Sequence, residues 1–235
     1  MQTDTYLQRR GELETYFDRT ASIAWQKLTS DAPVSGVRAK VRAGREDMRT
    51  VLLNWLPEDL NGCRILDAGC GTGQFAIEAA RRGADVVAID LAGTLVQLAK
   101  QRLIELGLEK KVDFRVGDMF DPSLGTFDHI IAMDSIIHYS APDMVRILEG
   151  FGGRCANSML FTFAPRTPAL SVMHAIGQVF PRGDRSPAIN PIRDTALLKR
   201  ITDSADLQAW TPRRTHRVQA MFYVSQAMEL VPNGG

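Results

Sequence analysis

The sequence predicts an α/β fold: a doubly wound, mostly parallel seven-stranded sheet, with helices ahead of it and a lid inserted after the fifth strand. Three observations predict it. From Cys63 onward, short apolar runs alternate with amphipathic stretches, and strands separated by helices of about 10–15 residues pair in parallel through right-handed crossovers. The first run enters a turn holding Gly69, Gly71 and Gly73, where folds of this kind bring their backbone close to a ligand. The length, 235 residues, suits one such domain with appendages.

The elements follow in order. Residues 1–60 form a helical segment expected to cover the active site, in which Val37, Val41, Met48, Leu52 and Trp55 share one face and Arg38, Lys40, Arg42, Arg45 and Arg49 lie among them. Pro57 closes that segment, and residues 61–235 form the ligand-binding domain. Arg64–Ala68 is the first strand, and Gln74–Arg82 a helix that Gly83 stops. Asp85–Ile89 is a buried strand, and Thr94–Leu106 an amphipathic helix ended by Gly107. Val112–Val116, Phe127–Met133 and Met159–Phe163 are the next strands. Ser140-Ala141-Pro142 starts the helix between the last two, with serine as cap and proline in the first turn. Arg217–Glu229 supplies the final strand pair.

After Pro165 the rhythm breaks. Pro165, Pro168, Pro181, Pro187 and Pro191 crowd one stretch, and a long irregular segment inside a compact domain is more often a functional lid than filler. Residues 165–200 are therefore expected to cover a substrate. Val172, Met173, Ile176, Val179 and Phe180 recur there at helical spacing, which fits a lid or a core helix equally.

Composition excludes several classes. A formal net charge of +1 gives no footprint for a polyanion, so nucleic acid is not an expected partner. Cys63, Cys70 and Cys155 form no CxxC pair and read as reduced thiols. No stretch has the ~18 apolar residues of a membrane span, and the start lacks the apolar core of a signal peptide. The expected location is cytoplasmic, with peripheral membrane contact left open. No His/Asp/Glu cluster has metal-ligand spacing, so no protein metal site is expected.

The strongest chemical signal is Asp67-Ala68-Gly69-Cys70-Gly71-Thr72-Gly73. Its third glycine comes two residues after the second, unlike the dinucleotide fingerprint. Asp67 stands where it would set a negative charge beside a pyrophosphate, but it suits a cofactor with a cationic amino group. Asp90 ends the second strand, near the spacing of about 20 residues expected of an acid gripping ribose hydroxyls; its other reading is a helix cap before Thr94. Gly117-Asp118-Met119 follows the third strand, and Met133-Asp134-Ser135-Ile136-Ile137-His138-Tyr139 the fourth. Strand ends at the switch point of a parallel sheet face the ligand, so His138 is a candidate site residue, whereas His129, inside the strand, reads as structural.

These residues resemble the motifs of class I S-adenosylmethionine-dependent methyltransferases. The resemblance implies a cofactor site of Asp67, Gly69, Cys70, Gly71, Gly73, Asp90, Leu91, Asp118, Met119 and Met133, with S-adenosylhomocysteine as product. Phe163–Pro168 (FAPRTP), Phe180–Ile189 (FPRGDRSPAI) and Phe222-Tyr223 narrow it: with the motifs above, they resemble the magnesium-protoporphyrin IX O-methyltransferases of bacteriochlorophyll and chlorophyll synthesis, most of all the purple-bacterial form. That likeness runs from about Tyr16 to the C-terminus. It implies methyl transfer to a propionate carboxylate, with His138 and Tyr139 as catalytic residues and Arg166, Phe180, Arg182 and Arg185 holding the substrate. The magnesium belongs to the substrate. A tyrosine that plant and cyanobacterial members carry after an N-terminal tryptophan is missing here, where Trp25 is followed by Gln26-Lys27-Leu28-Thr29. The family also implies handover from the large porphyrin-binding subunit of magnesium chelatase, with the Arg38–Arg49 helix face as the candidate contact, and a place on photosynthetic membranes. Competing readings are a class I methyltransferase for another small carboxylate, phenol or amine, and a noncatalytic porphyrin- or cofactor-binding scaffold.

Overall fold

The computed structural model describes residues 3–20, 36–166, 189–220 and 223–234. Helix α1 (Asp4–Thr15) runs into a π-helical turn (Tyr16–Thr20), and α2 (Val37–Trp55) leads to the sheet. The alternation then reads β1 (Arg64–Ala68), α3 (Gln74–Arg81), β2 (Asp85–Asp90), α4 (Gly93–Glu105), β3 (Val112–Val116) and β4 (Phe127–Ala132). It continues as α5 (Ala141–Gly152), β5 (Cys155–Phe163), α6 (Asp194–Asp203), β6 (Trp210–Ala220) and β7 (Tyr223–Pro232). The seven strands lie in the order β3-β2-β1-β4-β5-β7-β6. β1 to β5 pair in parallel, and β7 runs antiparallel to both β5 and β6.

Both faces of the sheet are covered, which is why the central strands carry apolar residues on both sides. On one face α1, α5 and α6 bury Leu13, Met144, Leu148, Leu197 and Ile201 against Ile130 and Ala132. On the other, α2, α3 and α4 bury Met48, Leu52, Phe75, Val96 and Leu103 against Ile65 and Ile131. The chain reverses its direction of winding between β1 and β4, so a crevice opens at their carboxyl ends.

Local signals explain most boundaries. The Ser140 hydroxyl accepts from the Asp143 N–H at 3.3 Å, with proline in the first turn of α5. Two strands are longer than their apolar runs: β5 begins at Cys155, not Met159, and the final pair begins at Trp210, not Arg217. The added part of β6 is Trp210 to His216, and after the buried Trp210 it is largely solvent-facing because β6 is the sheet edge. An edge strand buries too little to need an apolar pattern, and its charges discourage pairing with other chains. Most of the predicted lid of residues 165–200 lies outside the described residues, at 167–188. Its last part, from Asp194, is not lid but α6, which buries Leu197 in the core because its apolar positions face the sheet. Among the described residues no helix is long and apolar enough to cross a membrane.

Candidate active site

The site grows from the end of β1. The N–H groups of Gly69 and Cys70 donate to the Ile89 carbonyl at 2.8 and 3.1 Å, folding the loop across β2. Gly71 is left-handed (φ 53°), and its N–H donates to Asp90 Oδ2 at 2.7 Å. A β-carbon there would meet nothing within 4 Å, because that side of Gly71 faces the open cleft. Asp90 Oδ1 accepts the Ala92 N–H at 2.9 Å. The alternative reading of Asp90 as the cap of α4 does not hold: Ala92 occupies that position, and the carboxylate pins the glycine loop instead. Gly73 is the residue from which α3 starts.

Asp67 is 2% exposed, and its Oδ2 has no hydrogen-bond partner among the described residues. Burial first, and then the nearby Asp90, push its carboxyl up to about 7, against a backbone N–H bond from Ala76. Burial raises Asp90 as well, opposed by the N–H groups of Ala92 and Gly71.

These groups face a cleft of about 990 Å³, its open mouth included. Leu13 and Phe17 wall one side, and Arg45 and Arg49 of α2 another. Leu91, Leu95, Gly117, Met119 and Met133 supply an apolar wall, and Ser135, His138 and Tyr139 close the β4 end. His138 ends a 3₁₀ turn (Ile136–His138), 7% exposed, with Phe17 edge-on at 5.8 Å between ring centroids. Its carbonyl accepts Asn190 Nδ2 at 2.8 Å. Tyr139 is buried and stacks on Tyr6 of α1 at 5.0 Å. His129 is structural: its Nδ1 lies 2.7 Å from Ser158 Oγ inside the sheet.

Of the predicted cofactor residues, all but Asp118 line this cleft, apart from Gly73 at the helix entry. The Asp118 carboxylate turns to α1, where it accepts Tyr6 Oη at 2.7 Å and Arg10 Nη1 at 2.8 Å; the Phe120 N–H also donates to it at 2.8 Å. Arg166 is exposed, is not among the cleft residues, and its N–H is used in pairing with Ile192. Phe180, Arg182 and Arg185 lie outside the described residues.

Three cleft-side residues have roles the sequence reading did not assign. Arg45, Met48, Arg49 and Leu52 fall at helical steps of three and four, so both arginines share the stripe that packs inward. The Arg38–Arg49 face is thus not one continuous outer surface. Arg49 Nη1 reaches Gln74 Oε1 at 3.0 Å, and Arg45 Nη1 reaches Asp134 Oδ2 at 2.7 Å. Asp134 was legible only as part of a strand-end stretch; its clue was an acid, which tolerates left-handed backbone, directly after the last apolar residue.

The cleft fits S-adenosylmethionine on two counts. An unpartnered buried carboxylate oxygen at Asp67 calls for a cationic donor, and the glycine at 71 leaves open a space that a side chain would fill. Guanidinium groups for a carboxylate and an apolar wall for a base stand in the same cleft.

The family described as magnesium-protoporphyrin IX methyltransferase C-terminus matches residues 132–232, and a methyltransferase domain family matches residues 65–153. The chain is 47% identical to magnesium-protoporphyrin O-methyltransferase of Rhodobacter capsulatus over 228 residues, covering 97% of this chain and 98% of that one. To the Synechocystis enzyme of the same name it is 26% identical, over 97% of this chain and 99% of the other. A crystal structure of magnesium protoporphyrin IX methyltransferase from Synechocystis with bound S-adenosylhomocysteine superposes with a TM-score of 0.83 at 25% identity, covering 95% of this chain and all of the other. With the glycine loop, the acid pair and the strand-four histidine gathered on one cleft, the chain belongs to the magnesium-protoporphyrin O-methyltransferase family of class I S-adenosylmethionine-dependent methyltransferases.

Proposed function

We propose that this chain transfers the methyl group of S-adenosylmethionine to a propionate carboxylate of magnesium protoporphyrin IX, giving the monomethyl ester in bacteriochlorophyll synthesis. The observation that carries the reading is the single cleft joining Asp67 and the Gly71 loop to His138, in a chain 47% identical to the Rhodobacter capsulatus enzyme over almost its full length.

In this reading Asp67 meets the cofactor's ammonium group, Arg49 its carboxylate, and the Leu91–Met119 wall its adenine. Asp90 holds the Gly71 loop in place and offers its remaining lone pairs to the ribose. Bound S-adenosylmethionine supplies an electrophilic methyl group on a sulfonium. A propionate is ionised near neutral pH, so it arrives as a nucleophile, and the protein's task is to strip it of water and aim it. His138 donates a hydrogen bond that orients the carboxylate, and Phe17 and α1 keep water from that side. Asp118 acts indirectly, by docking α1 over the cleft.

Of residues 165–200, those from Asp194 on belong to the core helix α6, with Leu197 buried, and the exposed Arg166 does not line the cleft. The stretch between them serves as the lid over the macrocycle, with Arg182 and Arg185 meeting propionates and Phe180 the ring. Delivery by the large subunit of magnesium chelatase and contact with photosynthetic membranes complete the proposal. With Arg45 and Arg49 turned inward, the outer end of the α2 face, around Lys40, remains the contact surface.

The test is incubation with methyl-labelled S-adenosylmethionine and either magnesium protoporphyrin IX or metal-free protoporphyrin. The expected outcome is base-labile label in the magnesium porphyrin, several times faster than in the metal-free one. Label in neither porphyrin, from protein that binds S-adenosylhomocysteine, would overturn the proposal.

A further inference from the structure

The carboxylate of Asp134 collects donors from three elements. Arg45 Nη1 of α2 lies at 2.7 Å, Thr162 Oγ1 of β5 at 3.1 Å, and Tyr223 Oη and Ser225 Oγ of β7 at 3.0 and 3.2 Å. The Asp134 N–H in turn donates to Thr162 Oγ1 at 2.8 Å. The side chain is 5% exposed. Among the described residues Asp134 is the one non-glycine with a left-handed backbone, at φ 52°. Such backbone persists where its surroundings over-determine it, and it concentrates at working sites.

The neighbouring sequence makes room for this arrangement. A β-carbon at Gly44, one residue before Arg45, would lie 2.6 Å from Tyr223 Cδ1, so α2 can bring Arg45 to Asp134 past the Tyr223 ring only with glycine there. Burial, and next the charge of Asp134, hold the Tyr223 phenol well above its ordinary value, so it remains a donor. The following residue is tied down as well: Ser135 Oγ donates to the Ala68 carbonyl at 2.7 Å, at the root of the glycine loop. The chain from Asp134 to His138 is thus anchored at its start to α2, β5, β7 and β1. Asp134, Ser135 and His138 all line the cleft.

We propose that Arg45, Asp134 and Tyr223 are positioning residues for methyl transfer: together they fix the start of the 134–138 loop, and so the place of the His138 imidazole at the acceptor. The proposal rests on the reading of His138 given above. It makes α2 a working part of the catalytic end, because Arg45 ties the N-terminal segment to the loop that carries the histidine. It also gives β7 a task beyond completing the sheet.

A double-mutant cycle between Tyr223 and His138 tests it, read by single-turnover methylation of magnesium protoporphyrin IX with S-adenosylhomocysteine affinity and Tm as controls. Tyr223→Phe keeps the ring and removes only the hydroxyl. In otherwise wild-type protein it is expected to slow the single-turnover rate about tenfold, since a misplacement of about 1 Å can cost ~100-fold, with cofactor affinity within about twofold. In the His138→Ala background the same change is expected to cost less than about twofold. A merely structural role would lower Tm and affinity while leaving the two factors equal. Should Tyr223→Phe fail to fold, Asp134→Asn replaces it in the cycle, because asparagine tolerates the left-handed backbone. Equal factors in the two backgrounds, or no loss from either variant, would overturn the proposal. His138→Ala at the full wild-type rate would instead remove the underlying site assignment, an outcome distinct from equal losses.

Discussion

Asp67 and Asp90 end neighbouring parallel strands in the same cleft, yet only Asp90 has N–H donors on both oxygens, from Gly71 and Ala92, while Asp67 keeps one oxygen bare. Asp67 is therefore the acid of the two left to hold a proton, its carboxyl pushed up to about 7 by burial and then by the charge of Asp90. A cation placed against it reverses that preference.

With the ammonium group of S-adenosylhomocysteine meeting Asp67, as proposed above, the affinity for that product is expected to depend on pH. It should tighten as pH rises from about 5.5 toward 7.5 and then level off, because binding requires the ionised carboxylate. Asp67→Asn should bind at least about tenfold more weakly and lose that slope. The sign for stability is opposite. An acid whose folded-state pKa is raised gives its full stability below the unfolded value of 3.8 and loses it as pH rises through about 7. The cost above pH 7 is up to about 4 kcal/mol, so Asp67→Asn should raise the Tm of the cofactor-free protein at pH 8 and scarcely change it at pH 4. Calorimetric titrations and melting curves across pH check both signs; a pH-independent affinity in the wild type would contradict the pairing.

Asp90→Ala should release the Gly71 loop. A hydrogen bond to a charged group contributes about 1.5–3 kcal/mol, so the loss in cofactor affinity should be about ten- to hundredfold. Asp90→Asn, which keeps an acceptor oxygen, should lose less. Equal affinity in the alanine variant and the wild type, measured by calorimetry, would show that the loop holds its shape without the carboxylate.

The hydroxyl of Tyr6 and the guanidinium of Arg10 dock α1 on Asp118. Tyr6→Phe leaves the stacked ring but strips a part-buried carboxylate of a donor, which costs about 1–3 kcal/mol. Amide hydrogen exchange in α1 should accelerate about ten- to hundredfold, while exchange in β1 and β4 stays as in the wild type. Acceleration in the sheet as well would mean that α1 belongs to the global fold and is not a separately docked cover.

The alternation of strands and helices was legible because buried parallel strands are apolar on both faces, as Val86–Ile89 are. The glycine loop and its acids were legible because close backbone approach leaves few residue choices. What escaped was long-range or amphipathic. The first part of β6 is polar because one of its sides meets water. Arg45 and Arg49 read as surface charges, yet they share a stripe with Met48 and Leu52 and snorkel into the cleft. The Asp134 cluster joins residues more than 85 positions apart through Tyr223 and Ser225, which periodicity does not register. Asp118 was placed by its turn, but its carboxylate partners come from a helix more than 100 residues earlier.

In the proposed reaction the cleft orients an acceptor that is already ionised, with His138 donating a hydrogen bond and taking no proton. Single-turnover methylation of magnesium protoporphyrin IX by the wild type, His138→Gln and His138→Ala, across pH and at saturating cofactor, tests it most directly. His138→Gln is expected to keep part of the rate and His138→Ala to lose more, up to about 100-fold, with cofactor affinity nearly unchanged in both. Two equally inactive variants, together with a wild-type rate that rises through a histidine-like pKa of about 6.5, would contradict it and make His138 a general base.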